Sequence, residues 1–272
     1  MLAPDASATE YGGCRFDSRT LRFAGTVAET TSCLLKKVRP KGSGADAQEV
    51  PAWLRERVAR PFPYKNEHIQ AFLDSKGIAL AELSDRLLSD DSPTVRYFVI
   101  HDTSWPEFEH PVTEFPSDIN NSEWSGNSLN GWPSISNRVN LLISRDGRSR
   151  VLRPWGSSRS LPATKLEQRS NVFAARPLFV HVENIQPRIK PEGSFAWRAP
   201  EPGLGPRQEE RLALAYVIAS FHAGRWLIPA YHFNIDQGFA DVHDDPQNMD
   251  LQSWADKLNE IDAALSATDI PA

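Results

Sequence analysis

The sequence predicts an α/β domain, a mixed central β-sheet flanked by helices, preceded by a smaller N-terminal α+β region. Short runs of β-branched and aromatic residues recur after residue 93, in "TVRYFVIHDTS", "VNLLISRDG" and "PLFVHVENI", and have the character of buried strands. They interleave with helical spacing, above all in "PRQEERLALAYVIASFHAGRW", where Leu214, Val217, Ile218 and Phe221 share one face and Gly224 supplies a stop. Two apolar runs flank Asp146-Gly147 in "RVNLLISRDGRSRVLRPW", a strong hairpin signal. Strands interleaved with helices bury a sheet beneath helical layers.

The elements follow in order. The first 40 residues alternate apolar and polar positions in "CRFDSRTLRFAGTV" and "TSCLLKKVRP", which suggests strands around a glycine turn. "PKGSGADAQEVP" has the composition of a linker. From Pro51 to about Ser92 the pattern turns helical, with Ile69, Phe72, Leu73, Leu80 and Leu83 at helical spacings. The expected division is therefore residues 1–92, a β element plus helices to which the sequence assigns no role, and residues 93–272, the α/β domain. No internal repeat or low-complexity tract interrupts it.

Composition narrows the function classes. The chain has 272 residues, 40% of them hydrophobic, enough for one large domain or two modest ones. A formal net charge of -5 and the lack of any Lys/Arg block argue against a nucleic-acid partner. No apolar run approaches the roughly 18 residues of a membrane span. The start, "MLAPDASATEYGG", lacks a basic n-region and an apolar h-region, so the chain as written is expected to be soluble. Its 2 cysteines, Cys14 and Cys33, suit either one disulfide in an oxidising compartment or two buried thiols. They are too few for a Cys-rich zinc site, so any metal must use histidines and carboxylates.

The stretch "FADVHDDPQNMDL", Phe239 to Leu251, gathers Asp241, His243, Asp244, Asp245 and Asp250 with no helix or strand pattern. It is either a solvated loop or a source of ligands. His101 ends an otherwise apolar strand, and His232 follows the long helix and Pro229; each fits a hydrogen-bonded structural histidine as well as a ligand. Glu183 lies inside an apolar strand. Burying its carboxylate costs several kcal/mol unless an arginine or a cation compensates. Two histidines distant in sequence plus an aspartate would supply a tetrahedral zinc site with one position open for water.

Taken in order, "YFVIHDTS", "VNLLISRDG", "FVHVENIQPR" and "IPAYHFNID" followed by "HDDP" resemble the motif set of the zinc N-acetylmuramoyl-L-alanine amidases, the superfamily that includes the peptidoglycan-recognition proteins. The likeness spans roughly residues 95 to 260. It implies an amidase-like mixed sheet, one zinc ion held by His101, His232 and Asp245, and Glu183 as the strand glutamate that handles protons. Asp244 is a rival for the third ligand. His243 falls where many members carry a lysine near the substrate carbonyl, so its charge there would depend on pH. Asn140 replaces a histidine that many members carry outside the ligand set, and Tyr231 replaces the glycine before the second zinc histidine. Asp241 and Asp250 fit solvated or capping acids. In "LPATKLEQR", Lys165 and Glu167 could contact a glycan or peptide, but a solvated loop is the expected reading.

The implied activity is hydrolysis of the amide between N-acetylmuramic acid and the L-alanine of the stem peptide by zinc-activated water, with peptidoglycan or muropeptide as partner. A periplasmic or secreted location follows from that substrate. The alternatives are a non-catalytic muropeptide-binding module and a zinc peptidase acting on the stem peptide.

Overall fold

A computed structural model describes residues 10–40, 44–85, 94–155, 161–169 and 173–268. Five strands form the central sheet: β1 (Tyr97–Asp102), β2 (Leu141–Ile143), β3 (Ser149–Val151), β4 (Phe179–Asn184) and β5 (Ile228–Tyr231). Their spatial order is β5-β1-β4-β2-β3. β4 runs parallel to β1 and β2, β5 runs parallel to β1, and only β3 is antiparallel, paired with β2. The sheet is mixed, as the sequence predicts.

The antiparallel pair is the hairpin at Asp146-Gly147. Gly147 takes φ 86°, and a Cβ there would lie 2.8 Å from the Cβ of Arg207 and 2.9 Å from its carbonyl oxygen, so both backbone conformation and space require glycine.

Every residue of β1 and β4 is buried, which is why neither strand carries a solvent-facing polar alternation and their few polar residues lie inside the protein. Their side chains feed two cores in turn, as the pleat dictates. On one face Phe98, Ile100, Val180 and Val182 pack beneath α5 (Pro206–His222) and α7 (Leu251–Ser266). On the other, Tyr97, Val99 and Phe179 pack against Phe16, Phe23 and Leu34. α5 begins with Pro206 at its first turn, where a missing N–H costs nothing.

The described residues 10–40 and 44–85 wrap both faces of this sheet. Three short antiparallel strands, Glu10–Tyr11, Phe16–Asp17 and Arg22–Phe23, precede α1 (Val27–Leu34), whose start carries a capping box between Thr26 and Glu29. Cys14 and Cys33 form a disulfide. The linker-like stretch contributes a strand, Ala45–Asp46, paired with Lys37–Val38; residues 41–43 lie outside the described residues. α2 (Ala52–Arg57) and α3 (Asn66–Lys76) add Leu54, Ile69, Phe72 and Leu73 to the core that holds α5 and α7. Gly77, at φ 63°, ends α3, so Leu80 falls in a separate 3-10 turn. Trp53 Nε1 and Arg57 Nε donate to Asp262 Oδ2 of α7 at 3.1 and 3.0 Å. The hydrophobic core thus runs on both sides of residue 92 without a break. Among the described residues, no helix is long and apolar enough to cross a membrane.

Candidate metal centre

Parallel strands in register bring their C-terminal ends together, the usual place for a site in such sheets. Glu183 of β4 lies directly beside His101 of β1. β5 runs straight into α6 (His232–Asp236), so His232 opens that helix at the same end of the sheet. The loop before α7 returns Asp245 to them. The ligand atoms of His101, His232 and Asp245 lie within 4.8 Å of one another, and all three residues are buried. His101 Nδ1 stands 3.7 Å from Asp245 Oδ2, and His232 Nδ1 stands 3.0 Å from Asp245 Oδ1.

This group can hold a metal ion, and two features fit one. Asp245 Oδ1 is buried and has no aligned hydrogen bond, because His232 Nδ1 is also 3.0 Å from Oδ2 and bonds there, an arrangement that is rare without compensation. Burial, then the nearby His232, His181 and His243, hold His101 well below the ordinary histidine range, which keeps it in the neutral form that ligates. Burial opposes charge on His232 too, but Asp245 and Asp236 outweigh it and raise His232. A cation against Asp245 would act in the opposite direction.

Behind the two histidines lie groups that orient them. His232 Nε2 is 3.0 Å from Asp236 Oδ2, one turn further along α6. Asp236 in turn accepts from the backbone N–H groups of Lys165, at 2.7 Å, and Leu166, at 3.0 Å, at the start of α4 (Lys165–Arg169). His101 Nε2 is 2.9 Å from His181 Nδ1, and His181 Nε2 is 3.2 Å from Glu167 Oε2. Glu167 Oε2 also accepts from Ala163 N, Thr164 N and Thr164 Oγ1 at 3.1, 3.0 and 2.9 Å. The solvated-loop reading of Glu167 is therefore corrected: the residue is buried because it caps its own helix start and faces His181. His181 and Asp236 did not stand out in the sequence as site residues. Two signals were present, a histidine on the same strand face as Glu183 and a carboxylate at i+4 from His232.

A cavity of about 280 Å³ opens over the cluster, lined by His101, Glu183, His232, His243 and Asp245 among others. Among the described residues, no arginine pairs with Glu183; the nearby arginine, Arg188, instead places Nη2 2.8 and 2.7 Å from the two carboxylate oxygens of Asp102. Burial, followed by the charges of Asp245 and Asp102, pushes the Glu183 carboxyl well above the usual carboxylate range. His243 is exposed at the cavity rim, its ring 5.4 Å from that of His232.

The neighbouring acids separate by their partners. Asp244 Oδ2 accepts from Gln247 Nε2 at 2.8 Å, and Asp245 alone of the two belongs to the cluster. Asp250 caps α7 through Ser253 N, and Asp241 is an exposed residue at φ 54°. Asn140 exchanges hydrogen bonds with the backbone of His181, its N–H donating to the carbonyl and its Oδ1 accepting from the N–H, at 2.8 and 2.9 Å, and so ties the β2 end to β4. Comparison with family models, curated proteins and solved structures returned no match, so function must be read from these residues themselves.

Proposed function

We propose that the protein is a zinc-dependent peptidoglycan amidase that cleaves between N-acetylmuramic acid and the L-alanine of the stem peptide. The observation that carries this reading is the convergence of His101, Glu183, His232, His243 and Asp245 on one cavity. These residues come from β1, β4, α6 and the loop before α7, and they are the positions on which the amidase resemblance falls. Two imidazoles and one carboxylate suit zinc, with a coordination position left for chemistry. When bound there, zinc supplies a Lewis acid and lowers the pKa of water toward about 7.

His101, His232 and Asp245 hold the ion. Glu183, kept basic by burial, takes a proton from the attacking water and delivers it to the nitrogen of the leaving amine. His243 donates from the rim to the oxygen that gains charge as the carbonyl is attacked. The Cys14–Cys33 disulfide supports an oxidising home, periplasmic or secreted, where this substrate is found.

The test is metal content by mass spectrometry together with product analysis on intact sacculi. About one zinc per chain and stem peptides released with a free L-alanine amine are expected. Cleavage inside the stem peptide would make the protein a peptidase. Zinc bound without any cleavage would make it a muropeptide-binding module.

A further inference from the structure

We infer that residues 163–167, the start of α4, are the positioning element of the metal centre and fix both of its histidines. The inference rests on reading His101, His232 and Asp245 as metal ligands. A ligating imidazole presents the lone pair of one nitrogen, so its other nitrogen carries hydrogen and needs an acceptor. For His232 that acceptor is Asp236, at 3.0 Å. For His101 it is another imidazole: the Nε2 hydrogen points to His181 Nδ1 at 2.9 Å. That contact makes His181 an acceptor at Nδ1 and leaves its own hydrogen on Nε2, which stands at an ion-pair distance of 3.2 Å from Glu167 Oε2 without an aligned hydrogen bond. One histidine is oriented by a carboxylate directly, the other through a relay.

Both carboxylates converge on one short segment. Asp236 Oδ2 and Oδ1 accept from Lys165 N and Leu166 N, whereas Glu167 Oε2 accepts from Ala163 N and Thr164 N. Four consecutive backbone N–H groups thus aim two acids, 69 positions apart (236 − 167), at the outer nitrogens of the two ligands. Asp236 and His232 share α6, so that pair would meet wherever the helix forms. His181 and Glu167 sit on different elements, and their pairing needs the 163–167 turn in place. His181 and Glu167 are accordingly positioning residues, touching neither ion nor substrate, and their effect should appear in metal affinity.

The experiment uses the full chain, stripped of metal and titrated with zinc and, separately, with cobalt(II), whose visible absorption reports the ligand geometry. His181→Phe keeps a ring but removes both nitrogens, and Glu167→Ala removes the terminal acceptor. Each should weaken zinc binding by about 10- to 100-fold and alter the cobalt spectrum. Glu167→Gln, which keeps an oxygen within reach of His181, should recover most of the affinity. If His181→Phe fails to fold by circular dichroism, the Glu167→Ala and Glu167→Gln pair decides alone. Zinc affinity within about twofold of the parent in Glu167→Ala, with an unchanged cobalt spectrum, overturns the inference and leaves the metal site standing. A parent chain that binds neither ion overturns the metal reading itself, and this inference with it.

Discussion

Reducing the Cys14–Cys33 bond, or replacing both residues by serine, tests how far the N-terminal region supports the metal centre. The bond joins residues 19 apart in sequence. Closing a loop of that length removes chain entropy worth about 3 kcal/mol of folding stability. For a chain of this size, with an unfolding entropy of about 2.1 cal/mol/K per residue, that corresponds to a fall in Tm of about 5 °C. The loop is not remote from the site. Phe16, Phe23 and Leu34 pack under Tyr97, Val99 and Phe179, and Asn234 Nδ2 of α6 donates to Leu34 O and Lys36 O at 3.0 and 2.8 Å. Gly13 N also donates to Gln237 O, just past the end of α6. Loosening this clamp loosens the helix that carries His232 and Asp236. Scanning calorimetry with and without reductant, on parent and Cys14→Ser/Cys33→Ser, should show the fall in Tm, and zinc titration should show weaker binding in the same samples. A melt within about 1 °C of the oxidised parent would refute both the loop-entropy magnitude and the role of the clamp.

Alanine at His101, His232 or Asp245 should abolish stoichiometric zinc, measured by mass spectrometry, whereas Asp244→Ala should retain it because Asp244 faces Gln247. Glu183→Gln should keep zinc and fold yet turn over muropeptide about 10² to 10⁴ times more slowly; His243→Ala should keep zinc and lose about 10² to 10³. Parental turnover in Glu183→Gln would show the glutamate to be structural. In metal-free protein the same variant should also flatten the pH dependence of stability. An unfolded glutamate ionises near pH 4.3, roughly its free value, while burial raises Glu183, so the parent loses stability as pH climbs above that point and the Gln variant does not. The Tm advantage of Glu183→Gln should therefore widen between about pH 5 and about pH 7; an advantage that shrinks contradicts the raised carboxyl. Arg188→Met strands the buried Asp102 carboxylate and should cost about 3 to 5 kcal/mol in urea titrations, and a cost below about 1 kcal/mol would mean that Asp102 has other support.

Much of the fold was legible because its signals are local. β1 and β4 are largely apolar since both their faces are covered, the Asp-Gly hairpin is a matter of backbone conformation, and α5 is largely apolar because every residue from Leu212 to His222 is buried. What local pattern does not carry is which surface an element meets. Leu54, Ile69 and Phe72 announce apolar helix faces, but nothing in their spacing says that the partner is a core holding α5 and α7, at the other end of the chain. Likewise Ala45–Asp46 looks like linker because nothing in its composition announces its pairing with Lys37–Val38, which brings the Asp46 carboxylate to Arg39.

The site divides along the same line. His101, Glu183 and His232 break apolar stretches, and a polar group in a buried strand demands a partner. β4 carries three such breaks, and each resolves differently. Asn184 Nδ2 donates to the His101 carbonyl at 2.9 Å, His181 meets the His101 ring, and Glu183 faces the cavity. Sequence alone could rank Glu183 first because a carboxylate is the most expensive of the three to bury, and for that reason it passed over the histidine two residues earlier. Glu167 was missed from the opposite direction: in a polar stretch a carboxylate breaks no pattern, so its burial against His181 becomes visible only once the 163–167 turn places it there. Departures from the apolar pattern therefore point to two of the three candidate ligands and to the acid proposed to handle protons, whereas the groups placed behind the candidate ligands need the folded chain to reveal them.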